Sequence, residues 1–454
     1  MRRLAASAAS FVERLESHLR WQRKQRQSAD STHRFLVYRP GNRWVICAPG
    51  PIRRKLPNKL PGCQMVKKEY QQSHVPPYTG HWDDAIDQFA SSSPTLRPGN
   101  YSRAHAAPGL GNIMSGLVSA AAVAMFSKRI LLVENWTTVS HSLDWPLSQL
   151  VLESSGFERS VLQAQHEGSR VDSFMAEDDF SIADHFCSND LRQEPSARVW
   201  RLFSDQYFLP LLFLNQHHRG ELAAMGVSQG PDVSPIWGPA LRFFLRPLPA
   251  LMQGVNAFES AHFPPAPRGG GPQSVIAIHV RCVMSDGRCN NRQLAQAADC
   301  ARQRVVARNA SRVFVAAMHQ SHRDRLAQDL RGVANVFWYG DAVHGQALTD
   351  AQEDARLADL MLLAKADEVL IAQTSSFGYM VRGLASGTPA RFYASCVDVP
   401  SGATEPNLQI VDDVLRNCKV CRRLNTTMRD ATGAGILVRP RGDAGRLGSV
   451  RIGA

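Results

Sequence analysis

From residue 274 onward the apolar positions fall into short runs separated by amphipathic stretches. SVIAIHV (274–280), RVFVAAM (312–318), NVFWYG (335–340), EVLIAQ (368–373) and ARFYAS (390–395) are strand-length runs rich in β-branched and aromatic residues. Between them, 292–308, 321–330, 352–366 and 378–385 place apolar residues at helical spacing. Strand and helix alternating every 10–20 residues or so predict a parallel sheet covered by helices on both faces.

Upstream the pattern is weaker. Pro108-Gly109-Leu110-Gly111-Asn112 reads as a turn, MSGLVSAAAVAMFSK (114–128) as an apolar helix of small residues, and RILLVE (129–134) as a buried strand. Residues 140–260 mix helical and irregular stretches. FPPAPRGGGPQ (263–273) reads as an interdomain linker. Residues 1–98 are basic and Pro-punctuated, with short candidate strands at 35–38 and 44–47. The expected organisation is a basic stem or N-terminal extension (1–98), an N-terminal α/β domain (99–262), the linker, a C-terminal nucleotide-sugar-binding domain (274–427) and a tail (428–454) too polar and Gly-rich to pack a core.

Composition narrows the class. With 44% hydrophobic and 20% charged residues in 454, the chain is globular and long enough for two cores. The net charge of +12 admits nucleic acid, anionic lipid or a phosphate-bearing substrate. Much of the excess lies at the two ends, and no zinc-finger spacing or aromatic–basic alternation supports a nucleic-acid partner. The nine cysteines are scattered, and the one C-x-x-C, Cys418 and Cys421, has no second pair at zinc spacing. It reads as a disulfide or as two thiols.

Sequons at Asn100, Asn135, Asn309 and Asn425 exceed the roughly two that chance gives and lean towards the secretory pathway. Asn309, between a helix and a strand, is expected to be the more crowded and less modified site. No transmembrane segment is expected. The first 27 residues read as a poor signal, a transit segment or a surface helix. An anchor, where one is needed, would lie in a missing first exon or be replaced by partners.

Candidate chemistry collects at strand ends, where open parallel sheets bind ligands. The first strand of the C-terminal series ends in His279-Val280-Arg281 and the fourth in Thr374-Ser375-Ser376-Phe377-Gly378, just before a helix. Arg281 offers a fork of donors to a diphosphate, and the hydroxyls and amides at the helix start offer an anion site. Each alone reads equally as an ion pair and an ordinary N-cap. Gly109 and Gly111 serve a tight turn or a close approach. Asp359, amid apolar neighbours in a helix, is either a surface carboxylate or a ligand contact. No D-x-D for a metal-bound nucleotide sugar stands out, so no metal or other cofactor is expected.

Three stretches resemble the fucosyltransferase-like superfamily, most of all its plant cell-wall α-1,2 branch: GLGNIMSGLVSAAAVAMFSKRILLV (109–133), IAIHVR (276–281) and ADLMLLAKADEVLIAQTSSFGYMVRGL (358–384). They lie within about a third of the chain. The resemblance implies a GT-B-like α/β fold of two Rossmann-like domains, with the donor site in the C-terminal one. It implies an inverting, metal-independent Golgi glycosyltransferase that moves fucose from GDP-fucose to a glycan acceptor.

By the same resemblance Arg281 holds the β-phosphate, with Thr374, Ser375, Ser376 and Phe377 around the diphosphate. Asp359 holds part of the GDP, His279 shapes the strand end, and Gly109, Gly111 and Asn112 close from the other domain. The sequence departs from the pattern at Met284, where relatives carry an acid, and at Ala317-Met318-His319, where they carry Thr-Asp. Asp286 and His105 are the candidate bases. A different nucleotide-sugar donor, or an inactive sugar-nucleotide-binding protein, is the alternative.

Overall fold

The computed structural model describes residues 2–25, 33–40, 44–47, 63–65, 102–105, 109–134, 140–144, 147–152, 155–157, 161, 171–175, 186–193, 197–204, 208–224, 234–263, 274–281, 289–341, 349–373, 375–385, 387–399 and 423. The calls at Asn112's neighbour Pro108, at Asn100, Asn135 and Asn425, and over the tail lie outside them.

The strands are β1 (Phe35–Pro40), β2 (Trp44–Cys47), β3 (Cys63–Met65), β4 (Ser102–His105), β5 (Ile130–Val133), β6 (Val171–Met175) and β7 (Val199–Ser204), then β8 (Val275–Val280), β9 (Arg312–Ala317), β10 (Asn335–Phe337), β11 (Glu368–Ile371), β12 (Ala390–Phe392) and β13 (Val397–Asp398). The longer helices are α1 (Arg2–Gln25), α2 (Leu110–Ser127), α3 (Ser234–Phe244), α4 (Pro249–His262), α5 (Asn291–Arg308), α6 (Gln320–Asp329), α7 (Asp350–Leu363) and α8 (Ser376–Leu384).

Two parallel sheets organise the chain. The first runs β5-β1-β7-β6 and the second β10-β9-β8-β11-β12-β13, parallel throughout except for the terminal β13. The fold class is therefore α/β with two Rossmann-like units. A small antiparallel sheet, β3-β2-β4, stands apart and includes His105 at the end of β4.

The second sheet follows the hydrophobic pattern closely. Every residue of β8 is buried, as a central strand covered on both faces requires. The helices have defined ends: Asn290 with Gln293, and Thr349 with Gln352, form capping boxes before α5 and α7.

The first sheet differs from the expected layout. Its inner strand β1 comes from the segment expected as a stem, so the sheet straddles residue 98. α1 is not peripheral either. Phe11, Leu15 and Leu19 are buried on its inner face. Gln22 gives its Nε2 to the Leu131 carbonyl at 2.8 Å and accepts the Leu131 amide at 3.0 Å. One side-chain amide thus pairs both backbone groups of a residue in β5, the edge of the sheet.

α2 has the length and apolarity of a short membrane span, contrary to the expectation that no such stretch exists. Nearly all of it is buried in the core, and its small residues allow that. Gly116 lets the Tyr38 ring lie against the helix while the Tyr38 hydroxyl donates to the carbonyls of Ile113 and Ser204.

The two units are packed together. α3 crosses α8 at Gly238 and Gly383, so closely that a Cβ on Gly238 would lie 2.2 Å from the Gly383 carbonyl. Trp237 donates to the Tyr379 carbonyl at 3.2 Å and Arg242 to the Gly383 carbonyl at 3.0 Å. α4 and the residue after it, before the expected linker, set Phe258, His262 and Phe263 against Phe314 and Phe337 of the second sheet, with His262 stacked on Phe337. Residues 264–273 of that linker lie outside the described set.

Candidate functional site

The polar residues of interest lie at the carboxyl ends of the second sheet's strands. β8 delivers His279 and Arg281, β9 delivers Met318, and the turn after β11 delivers Ser375 at the start of α8. Ser375 is the N-cap: its hydroxyl accepts the Gly378 amide at 3.2 Å. The bland reading of that residue is therefore right as far as it goes. The cap leaves the amides of Ser376 and Phe377 at the positive end of α8.

α2 begins at the same place. A Cβ on Gly111 would lie 2.6 Å from the Phe377 nitrogen and 2.6 Å from the Ser376 hydroxyl, so only glycine permits this approach. Two helix N-termini, one from each unit, are thereby in backbone contact. Asn112 lies in the first turn of α2. Gly109 has another place: it is the exposed N-cap of α2, and a Cβ there would meet nothing within 4 Å. Of the two readings of these glycines, a tight turn or a close backbone approach, an approach is seen at Gly111, to the protein's own α8, and none at Gly109.

His279 is buried and stacks on Phe377 with ring centroids 4.7 Å apart. Its Nδ1 lies 3.4 Å from the Ser375 hydroxyl. Burial, together with the nearby Arg281 charge, pushes its pKa down to about 3, so the ring is neutral at any physiological pH. It fixes the strand end against the helix start.

Arg281 is exposed at the strand tip. Its guanidinium contacts the Met318 thioether and, among the described residues, forms no ion pair. Its carbonyl accepts a 2.8 Å hydrogen bond from Tyr393, a buried residue after β12. Burial pushes the Tyr393 phenol up to about 12, which keeps it a donor. Met318 stood out as a strand end and a departure from the family pattern, but Tyr393 did not, because a strand-end tyrosine carries no spacing signal.

Asp359 is not a surface carboxylate. It is 8% exposed, inside α7, which packs against α8, β8 and β9. Its Oδ2 takes a 3.4 Å bond from Arg323, whose other arm reaches the Gly340 carbonyl at 2.9 Å. Asp359 Oδ1, Arg323 Nε, and Arg356 Nε and Nη2 are buried without a hydrogen-bond partner. Burial drives the Asp359 pKa up to about 7 against the pull of Arg323, and burial also lowers that of Arg356. Such orphaned groups, at Arg356 and Asp359 one turn apart on α7 and at Arg323 on α6, are what a polar ligand would satisfy.

The remaining candidates are not brought to this cluster by the described residues. Asp286 and Thr374 lie outside them. Met284 does too. Among the described residues no group of three or more His, Cys, Asp or Glu side chains is placed to hold a metal.

No protein-family model matches the chain, and no curated protein matches it. Solved structures are similar in part. A mutant of Arabidopsis thaliana FUT1 in complex with GDP is 17% identical, over 62% of this chain and 67% of that one, with a TM-score of 0.47. NodZ α-1,6-fucosyltransferase soaked with GDP-fucose is 14% identical over 64% and 96%, with a TM-score of 0.37. POFUT1 in complex with GDP-fucose is 11% identical over 80% and 98%, with a TM-score of 0.36.

Proposed function

We propose that the chain is a metal-independent, inverting glycosyltransferase that takes a GDP-sugar, GDP-fucose in the first instance, and works on a glycan acceptor in the Golgi lumen. The observation that supports this reading is the meeting of two helix N-termini at Gly111 and Ser376, with Arg281, which forms no ion pair among the described residues, two residues beyond the His279 that stacks on Phe377. Positive dipole ends and an unpaired guanidinium together suit a diphosphate. The motif resemblance in the same residues supplies the donor assignment.

The reaction is a single displacement. An acceptor hydroxyl oxygen attacks the anomeric carbon, the bond to the diphosphate oxygen breaks, and the hydroxyl proton passes to a base. Charge growing on the leaving diphosphate is met by Arg281 and by the amides of Ser376 and Phe377. Thr374 and Ser375 complete the cradle, and Asn112 approaches from the first unit. Asp359 takes a donor group of the nucleotide on its open Oδ1. Asp286 and His105 are the candidate bases, and an oxocarbenium-like transition state asks little of either.

The test is nucleotide selectivity without metal. GDP in the presence of a chelator raises the melting temperature, by an amount corresponding to about 2.7 kcal/mol at a hundred times its Kd. Stabilisation by UDP alone, or only with a divalent ion, overturns the donor assignment. One feature favours a second reading, a binding protein without turnover: Met318 stands where the resemblance calls for a polar pair. Stabilisation by GDP with no GDP release from GDP-fucose in the presence of acceptor glycans selects it.

A further inference from the structure

Asn309 was expected to be crowded. It is exposed, as is Ser311 of the same Asn309-Ala310-Ser311 sequon. It closes α5 in the left-handed conformation, φ 51°, one that asparagine adopts more readily than most residues. Its own amide bonds to the Val306 carbonyl and that of Ala310 to Val305, so the backbone here is fully used. The side-chain amide is exposed and has no hydrogen-bond partner among the described residues. One turn earlier, Val306 is 73% exposed, the largest exposure among the big apolar side chains. The helix that carries them is tied by the Cys300–Cys396 disulfide, and Cys187 and Cys289 are disulfide-bonded too. A chain with this many oxidised cysteines matures in an oxidising compartment, where sequons are read.

We infer that Asn309 carries an N-linked glycan whose first sugar lies over Val306. In the attachment step a bond forms between Asn309 Nδ2 and the anomeric carbon of a lipid-linked oligosaccharide. The diphosphate lipid leaves and the amide gives up a proton. The place suits a permanent glycan: Asn309 precedes β9, at the amino end of the second sheet, opposite the strand ends that hold Arg281 and Met318. A sugar there shields an apolar spot without crowding the cleft. The inference stands independently of the donor assignment.

The test is secretion of the full chain behind a cleavable signal from eukaryotic cells, followed by glycopeptide mapping and enzymatic deglycosylation in heavy-oxygen water. The peptide carrying Asn309 is expected to be glycosylated, and to return as heavy-oxygen-labelled aspartate. Ser311→Ala, which leaves the left-handed residue untouched, removes that signal. Recovery of the 309 peptide unmodified from folded, secreted protein overturns the inference. A second measurement isolates the contact with Val306. Deglycosylation lowers the melting temperature of the wild type by more than it lowers that of Val306→Ala. Equal shifts overturn the packing of the sugar on Val306.

Discussion

The second sheet is rich in arginine at both ends, and the two ends treat it oppositely. At the amino end, Glu368 is fully buried and takes hydrogen bonds from Arg304 at 2.7 Å, Arg308 at 2.8 Å and Arg391 at 2.8 Å. Burial pushes its pKa up, but the hydrogen bonds from Arg304 and Arg308 outweigh that and hold it below the usual glutamate range. At the carboxyl end, Arg281 contacts a thioether, while Arg323, paired with Asp359, and Arg356, paired with Glu353, keep buried nitrogens with no hydrogen-bond partner among the described residues. A guanidinium whose donors are spent on protein acceptors holds the fold. One whose donors are left over is available to a ligand.

That contrast is breakable, and the largest effect belongs to the saturated end. Glu368→Gln removes the one anion that three arginines share. The loss is about 3 kcal/mol of stability, the low end for a broken buried pair because Arg308 remains partly solvated. GDP affinity per folded molecule stays as it was. Chemical denaturation and GDP titration of the one variant decide it, and a stable variant with weakened GDP binding would invert the assignment of the two ends. Arg281→Lys should behave in the opposite way. Charge is kept and the planar fork is lost, so donor turnover falls about a hundredfold while the melting temperature holds. Lost stability with unchanged turnover of the folded fraction removes Arg281 from the site.

A smaller effect separates the two glycines of the α2 turn. Gly111→Ala forces a methyl into the backbone of Ser376 and Phe377, which cannot swing aside as a flexible side chain would. Overpacking of that kind costs about 1–3 kcal/mol. It should appear as weaker GDP binding as well as lower stability, because it separates the two helix starts. Gly109→Ala meets open space at an ordinary φ of −62° and should leave both quantities close to wild type. Equal effects at the two positions would show that the contact between helix starts does not shape the site.

The second sheet was legible in the sequence because its inner strands β8, β9 and β11 are almost wholly buried and read as unbroken apolar runs. The first was only half legible. β5 has such a run, but β1 sits in a basic, Pro-punctuated stretch, and no local pattern announces that it will be an inner strand between β5 and β7. α1 was ambiguous for a related reason: its apolar face is visible only once there is a sheet edge for Gln22 and Leu19 to meet. At the site, residues that advertise a strand end or a helix start, His279, Arg281 and Ser375, were within reach of the sequence. So was Met318, as a strand end; Arg323, Arg356 and Tyr393 were not. Their importance depends on which donors and acceptors remain unsatisfied after packing, a property of the assembled sheet.

The subtlest consequence of the unsaturated end is a pH dependence. Asp359 has a folded-state pKa near 7 against an ordinary 3.8, raised by burial. Between those values the folded protein holds a proton that the unfolded chain has released. Folding stability from this group therefore falls as pH rises from about 4 to about 7, with a slope of at most about 1.4 kcal/mol per pH unit, and levels off above that. His279, pushed down to about 3, stays silent through the window. Asp359→Asn lacks the titrating proton, so the wild type should lose stability relative to this variant as pH is raised from 5 to 7. A ligand group that donates to Oδ1 favours the carboxylate and lowers its pKa. Binding of GDP at pH 6 should then release more protons with the wild type than with Asp359→Asn, the terminal phosphate of GDP contributing equally to both, and calorimetry in two buffers of different ionisation enthalpy measures the difference directly. Identical proton release in both proteins would mean that the open oxygen of Asp359 does not meet the nucleotide, even if Arg281 does.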